Sequence, residues 1–124
     1  MVGLSTKGEA AVLTPLTTSC YVSLHTGDPG DTGLNEVPTA GSSYARQGPA
    51  AFANSGNNPT IAANSAIITY AAATAPWGTI THFGTWDAAS AGNFRGSGAL
   101  ATSKAVNTGD TARFTAGSLT ITAQ

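Results

Sequence analysis

This chain predicts a mainly β fold, an antiparallel sandwich or jelly-roll-like domain with one short N-terminal helix. Three observations predict it. Leu119, Ile121 and Ala123 alternate with Ser118, Thr120 and Thr122, as Ala112, Phe114 and Ala116 do with Thr111, Arg113 and Thr115. Such period-two alternation gives a strand one buried and one wetted face. Short β-rich runs, roughly seven or eight of them, recur about every ten residues between turn formers, the spacing of a sandwich or jelly roll. Only one segment carries a helical start signal. With 124 residues and no linker, repeat or low-complexity tail, residues 1–124 read as a single domain.

The helix is expected over residues 6–14. Thr6 can cap it and Glu9 stands at capping-box spacing, Ala10 to Leu13 continue it, and Pro15 stops it. About two turns are too few to be stable alone. Docking on the sheet or on a neighbouring subunit would cover Val12, Leu13 and Leu16.

From Ser19 onward the pattern is β. Cys20–Thr26 reads as a strand with Cys20, Val22 and Leu24 on one face and Tyr21, Ser23 and His25 on the other. Gly27–Gly41 is a long loop of turn formers, including Asp28-Pro29-Gly30 and Asp31-Thr32-Gly33, and loops of that length are functional or mobile. Tyr44–Gln47 reads as a short strand and Phe52–Asn58 as a bend rich in Asn and Gly. Ala66–Tyr70 and Thr79–Trp86 are strands, with Ala71–Ala75 as an edge or connector ending at Pro76. Residues 93–101 form a strand interrupted by Gly96 and Gly98, the mark of a bulge or close packing. Lys104–Val106 and Thr111–Ala116 flank Asn107-Thr-Gly-Asp110 as a hairpin.

Composition narrows the function. Charged residues are 9% of the chain, far below the usual ~25%. Thr, Ser, Asn, Gly and Ala take their place, and a surface of small neutral side chains costs little to desolvate in a permanent contact. Net charge is −1 and the cations Lys7, Arg46, Arg95, Lys104 and Arg113 are scattered, so no basic face exists to bind nucleic acid. No run of 18 apolar residues points to a membrane span. Met1-Val-Gly-Leu-Ser-Thr-Lys7 lacks the layout of a signal peptide, which implies synthesis and folding in a cytoplasm. The lone Cys20 excludes an intrachain disulfide and a cysteine-based zinc site, and its place in an apolar strand suits a buried, inert thiol.

Candidate chemistry is thin. His25 with Asp28, or His82 with Asp87, could supply half of a Ser-His-Asp set, but no serine stands in a nucleophile elbow. The plainer role is a strand-end histidine bonded to a loop carbonyl or carboxylate. The histidines lack metal-ligand spacing, and Asp28, Asp31 and Glu36 do not meet the EF-hand pattern. Six acids, mostly in turns, make a poor glycosidase. No Gly-rich phosphate loop is present. No catalytic residue, metal or cofactor is therefore assigned. Trp77, Trp86, Tyr21 and Tyr44 could stack on a glycan or anchor a core or interface. Arg46 is expected to bridge to Asp28 or Asp31 and pin the long loop. Ile80, His82, Gly84 and Trp86 share one strand face, expected to pack with His25 and Tyr21. Tyr21, His25, Asp28, Arg46, Trp77, His82 and Trp86 are thus the candidate structural or interface residues.

Tyr21–Gly30, Glu36-Val37, Tyr44–Gln47, Trp77–Ala88 and Val106–Thr122 together resemble, in order and over nearly the whole chain, a family of small bacteriophage virion proteins commonly labelled tail-fibre or tail-associated. The chain departs from the pattern after Gln47, where Gly48-Pro49 interrupts the expected strand. The resemblance implies a non-enzymatic structural protein of the virion, made in the bacterial host cytoplasm and assembling with other phage virion proteins. It further implies a tail fibre, tip or adaptor subunit, with a capsid decoration protein as the alternative and a host-glycan-binding module as a second. A homo-oligomer is expected, a trimer by analogy with other phage appendages.

Overall fold

The computed structural model describes residues 20–55 and 60–123. The expected helix over residues 6–14 lies outside them.

Among the described residues nine strands follow in order: β1 (Cys20–His25), β2 (Gln47–Ala50), β3 (Phe52–Ser55), β4 (Thr60–Asn64), β5 (Ile68–Thr69), β6 (Gly78–Trp86), β7 (Phe94–Val106), β8 (Arg113–Phe114) and β9 (Thr120–Ala123). All pairings are antiparallel. A four-stranded sheet runs β2-β1-β6-β7, a three-stranded sheet β3-β4-β9, and a two-stranded sheet β5-β8. Among the described residues the fold is all β.

The central pair, β1 with β6, has a clean register from Tyr21↔Trp86 to His25↔His82. Strand alternation then sends Val22 and Leu24 with Phe83 to one face, and Ser23 and His25 with Gly84 and His82 to the other. The first set joins the core with Ile80 of the same sheet and with Ala62, Leu119 and Ile121 from the β3-β4-β9 side. Four aromatics extend it. Tyr70 lies 6.1 Å from Tyr44, Trp77 and Phe114 by ring centroid, and Tyr44 lies 5.3 Å from Trp77. The Tyr70 hydroxyl donates to Val22 O at 2.7 Å and Trp77 Nε1 to Ser42 O at 2.9 Å, so their polar ends are satisfied inside. At Gly98 a Cβ would meet Thr120 O at 2.5 Å and the Phe83 ring at 2.7 Å, which is why a glycine stands where β7 crosses β9.

Several elements differ from the sequence reading. The second strand is Gln47–Ala50, not Tyr44–Gln47, and it includes Gly48-Pro49. Ser43 takes φ 54° just before Tyr44, and Ser42 Oγ accepts the Tyr44 N–H at 3.3 Å, so the chain is still leaving the turn at residues 40–42 and residues 44–46 pair with no strand. Phe52–Ser55 is a strand, β3, rather than a bend. The Asn and Gly residues that suggested the bend begin beyond Ala53, and its strand partner β4 is built from small residues with little β signal.

Ala66–Tyr70 shortens to the two residues of β5. The chain before it is held instead by buried Asn64, whose Nδ2 donates to Ala66 O and Thr115 O and whose Oδ1 accepts from Leu119 N, each at 2.9 Å. β7, expected over residues 93–101, extends to Val106 through an irregularity, its partner jumping from Ala99 opposite His82 to Lys104 opposite Ile80. The turn at Asn107–Asp110 forms, but its arms do not pair as a hairpin. Gly109 N donates to Ala73 O at 2.7 Å and Ala73 N to Asp110 O at 2.8 Å, delivering β8 to β5.

Candidate functional site

Most of the residues that could carry chemistry gather on the second face of β1 and β6, under the long loop. The loop is brought there by backbone pairing. Thr26 N donates to Asn35 O at 3.0 Å and Val37 N to Leu24 O at 3.0 Å, and Glu36 bridges antiparallel to His25. Asn35, at φ 65°, closes the turn and donates through Nδ2 to Asp28 O at 3.0 Å. Residues 27–37 therefore form a fixed flap over the sheet.

Three side chains beneath the flap make a one-way hydrogen-bond chain. The Leu34 carbonyl, 2.6 Å from His25 Nδ1, can only accept, so Nδ1 carries the proton. His25 Nε2 is then the acceptor, and the Ser23 hydroxyl donates to it at 2.6 Å. Ser23 Oγ in turn accepts from Trp86 Nε1 at 2.9 Å. Ser23 and His25 are both 0% exposed. Burial pushes the His25 pKa below its ordinary value, ahead of the opposing effects of the Leu34 carbonyl and Glu36, and favours the neutral ring that this chain requires.

Arg46 locks the flap from the side. Its Nε donates to Glu36 Oε2 at 2.8 Å and its Nη2 to Oε1 at 2.9 Å, a two-pronged ion pair. Nη1 donates to the carbonyls of Ala88 at 3.1 Å and Ala91 at 2.9 Å in the β6–β7 turn. The guanidinium carbon lies 3.7 Å from the Trp86 ring centroid, a cation–π contact. Tyr44 completes the set, donating to Glu36 Oε2 at 2.8 Å while its hydroxyl accepts Leu24 N–H at 3.0 Å. Burial works to raise the Glu36 pKa, but the hydrogen bonds from Arg46 and Tyr44 outweigh it and hold the carboxyl below its usual range.

The rings fit because two glycines leave room. A Cβ at Gly84 would lie 2.7 Å from Ser23 Oγ, 2.8 Å from the Phe94 ring and 2.9 Å from His25 Nε2. A Cβ at Gly33, where φ is +80°, would collide with the Trp86 ring. Phe94 closes the far side, edge-on to Trp86 at 5.1 Å and to His25 at 6.3 Å.

Tyr21, His25, His82 and Trp86 do share this face, but Ile80 belongs to the opposite, apolar core. Arg46 pins the loop through Glu36 rather than Asp28 or Asp31. Backbone pairing carries Glu36 to the end of β1, whereas Asp28 caps Gly30 N at 2.9 Å out on the loop. His82 is half-buried with Nδ1 2.8 Å from Thr81 Oγ1, and Asp87 is taken by Asn93 N at 2.7 Å and Nδ2 at 2.8 Å, so the two do not pair. Trp77 lies in the core cluster. Trp77 is 3% exposed, Tyr44 3% and Trp86 8%, so none presents a face for a sugar to stack on. Ser23 and Phe94 are not among the sequence candidates, and Glu36 enters the sequence reading only as a possible calcium ligand, not as the partner of Arg46. Glu36 was the findable one, as the acid of a Glu-Val step that pairs at the strand end.

The Ser23–His25 contact has the distance of a nucleophile–base pair without its setting. The hydroxyl is enclosed and engaged on both sides, and the group orienting the imidazole is a carbonyl rather than a carboxylate. Among the described residues, no cluster of three or more His, Cys, Asp or Glu could hold a metal ion. What this arrangement does is join four segments: the flap, the 44–46 step, β1–β6 and the β6–β7 turn.

A family model described as podophage GP4 fiber I protein gp80 matches residues 5–122. The chain belongs to that family. No curated protein matches it. Membership in a phage fibre family makes this a virion structural protein, and the matched stretch contains every residue that holds the flap, from Ser23 to Phe94.

Proposed function

We propose that this fibre-family protein is a non-enzymatic, tail-associated subunit, folded as a two-layer β-sandwich, that works by surface complementarity with other virion proteins and with copies of itself. The observation that carries the reading is the family match over residues 5–122 of 124. The geometry supports it. The residues best suited to acid–base chemistry are spent on holding the flap, and the exposed surface is left to small neutral side chains with few charges.

Immunogold labelling of intact particles with an antibody against this chain tests the assignment. Gold at the tail or its tip is the expected result. Gold spread over the head would replace it with a decoration role, and particles lacking the protein would then burst more easily under heat or osmotic shock.

A further inference from the structure

Charge is sparse enough on this molecule to follow residue by residue. Among the described residues, Arg46 pairs with Glu36 and Arg95 with Asp87. Lys104 and Arg113 form no ion pair there, and both line one groove of about 290 Å³ that no carboxylate shares. The groove also has an apolar wall, Leu100 and Phe114, with Lys104 Nζ 5.5 Å from the Phe114 ring centroid. The acids show the converse pattern. Glu36 and Asp87 are paired, and Asp110 accepts from Asn107 N at 2.9 Å. Asp28 and Asp31 form no ion pair among the described residues and stand exposed on the flap. Beside them is Leu34, 60% exposed, more so than any other large apolar side chain described.

We propose that the flap of one copy docks in the Lys104–Arg113 groove of a second copy. Asp28 and Asp31 meet the two cations, and Leu34 covers the apolar wall at Leu100. Exposed ion pairs contribute little by themselves, so the contact needs the leucine as well as the charges. A single copy cannot satisfy itself. Its flap lies over the Ser23–Gly84–Trp86 face, whereas the groove opens beside Phe114 of the opposite core. The contact joins unlike patches, so it runs head to tail and builds a ring or a filament rather than a two-fold dimer. This names the contact within the oligomeric part of the proposed function and rests on that reading.

Sedimentation velocity of the full chain tests it. At low salt the wild type associates, and raising the NaCl concentration weakens the association. Asp28→Asn with Asp31→Asn, Lys104→Gln with Arg113→Gln, and Leu34→Ser alone each weaken it about tenfold or more. An equimolar mixture of the two neutralised variants forms dimers and nothing larger, because one keeps only a groove and the other only a flap. A wild type that stays monomeric at about 100 µM in low salt overturns the proposal. So do neutralised variants that associate like the wild type, or a mixture that assembles beyond dimers. None of these results changes where gold labels the particle, so this contact can fail while the tail assignment stands.

Discussion

The two faces of the β1–β6 pair are both buried, by opposite means. On one, Val22, Leu24, Phe83 and Ile80 exclude water because they are apolar, and they are 0% exposed. On the other, Ser23, His25 and Trp86 are covered by a flap and satisfied by one another. The apolar face is held by many non-directional contacts that fade gradually when atoms are removed. The polar face is held by a few directional ones, so a single lost partner leaves a buried group unsatisfied. β1 therefore reads as a half-wet strand yet needs a second layer, and the long loop supplies it.

Breaking the apolar face has the largest expected effect. Phe83→Ala should cost about 3–5 kcal/mol in urea denaturation, since it leaves a cavity between the sheets. Arg46→Ala comes next, at about 2–4 kcal/mol. It strands Glu36, which is largely buried, and frees the β6–β7 turn. Arg46→Lys should recover only a small part of that loss, because an ammonium cannot reproduce the two-pronged pair and the stacking on Trp86. Gly84→Ala should cost about 1–3 kcal/mol by overpacking the Ser23–His25–Phe94 contact.

Acid should separate the faces without a mutation. The His25 pKa is lowered on folding, so the unfolded chain binds its proton first. Stability is full above the ordinary value of 6.5 and falls as pH drops below it. The Glu36 pKa is also lowered, so a second loss begins as pH falls below the ordinary 4.5 and proceeds toward its folded value. Urea midpoints measured from pH 7.5 to 3.5 should decline in these two stages. His25→Gln should remove the first and leave the second. The smallest effect is at Cys20, where burial pushes the thiol up to about 11. A thiol reagent at pH 8 should label it only as fast as the chain unfolds.

Much of the apolar face was legible in the sequence because alternation reports it directly. Val22 and Leu24, Ala112 and Phe114, Leu119 and Ile121 all point inward as their spacing implies. The weak strands were not legible. β3 and β4 are made largely of Ala, Asn and Thr, whose β preference is low or dependent on context, and β2 contains a Gly-Pro step. The pairing of β8 with β5 was hidden for a different reason. A turn signal at Asn107–Asp110 says that the chain reverses, not which strand receives it. Of the polar face, the role of Arg46 in pinning the loop could be read, but not its partner. Choosing Glu36 over Asp28 or Asp31 required knowing that Glu36 bridges to His25, a long-range register. The one-way chain through Ser23 was invisible because it depends on Trp86 meeting β1 from another strand.

The flap is bolted to the sheet by a coupled polar lock of Arg46, Glu36 and Tyr44. A double-mutant cycle of Arg46→Ala with Glu36→Gln, read from urea denaturation at pH 7, tests it most directly. The lock predicts a coupling energy above about 1 kcal/mol, with a matching cycle of Arg46→Ala and Asp28→Ala additive within about 0.5 kcal/mol. Additive losses in the Glu36 cycle, or coupling to Asp28 in its place, would contradict it.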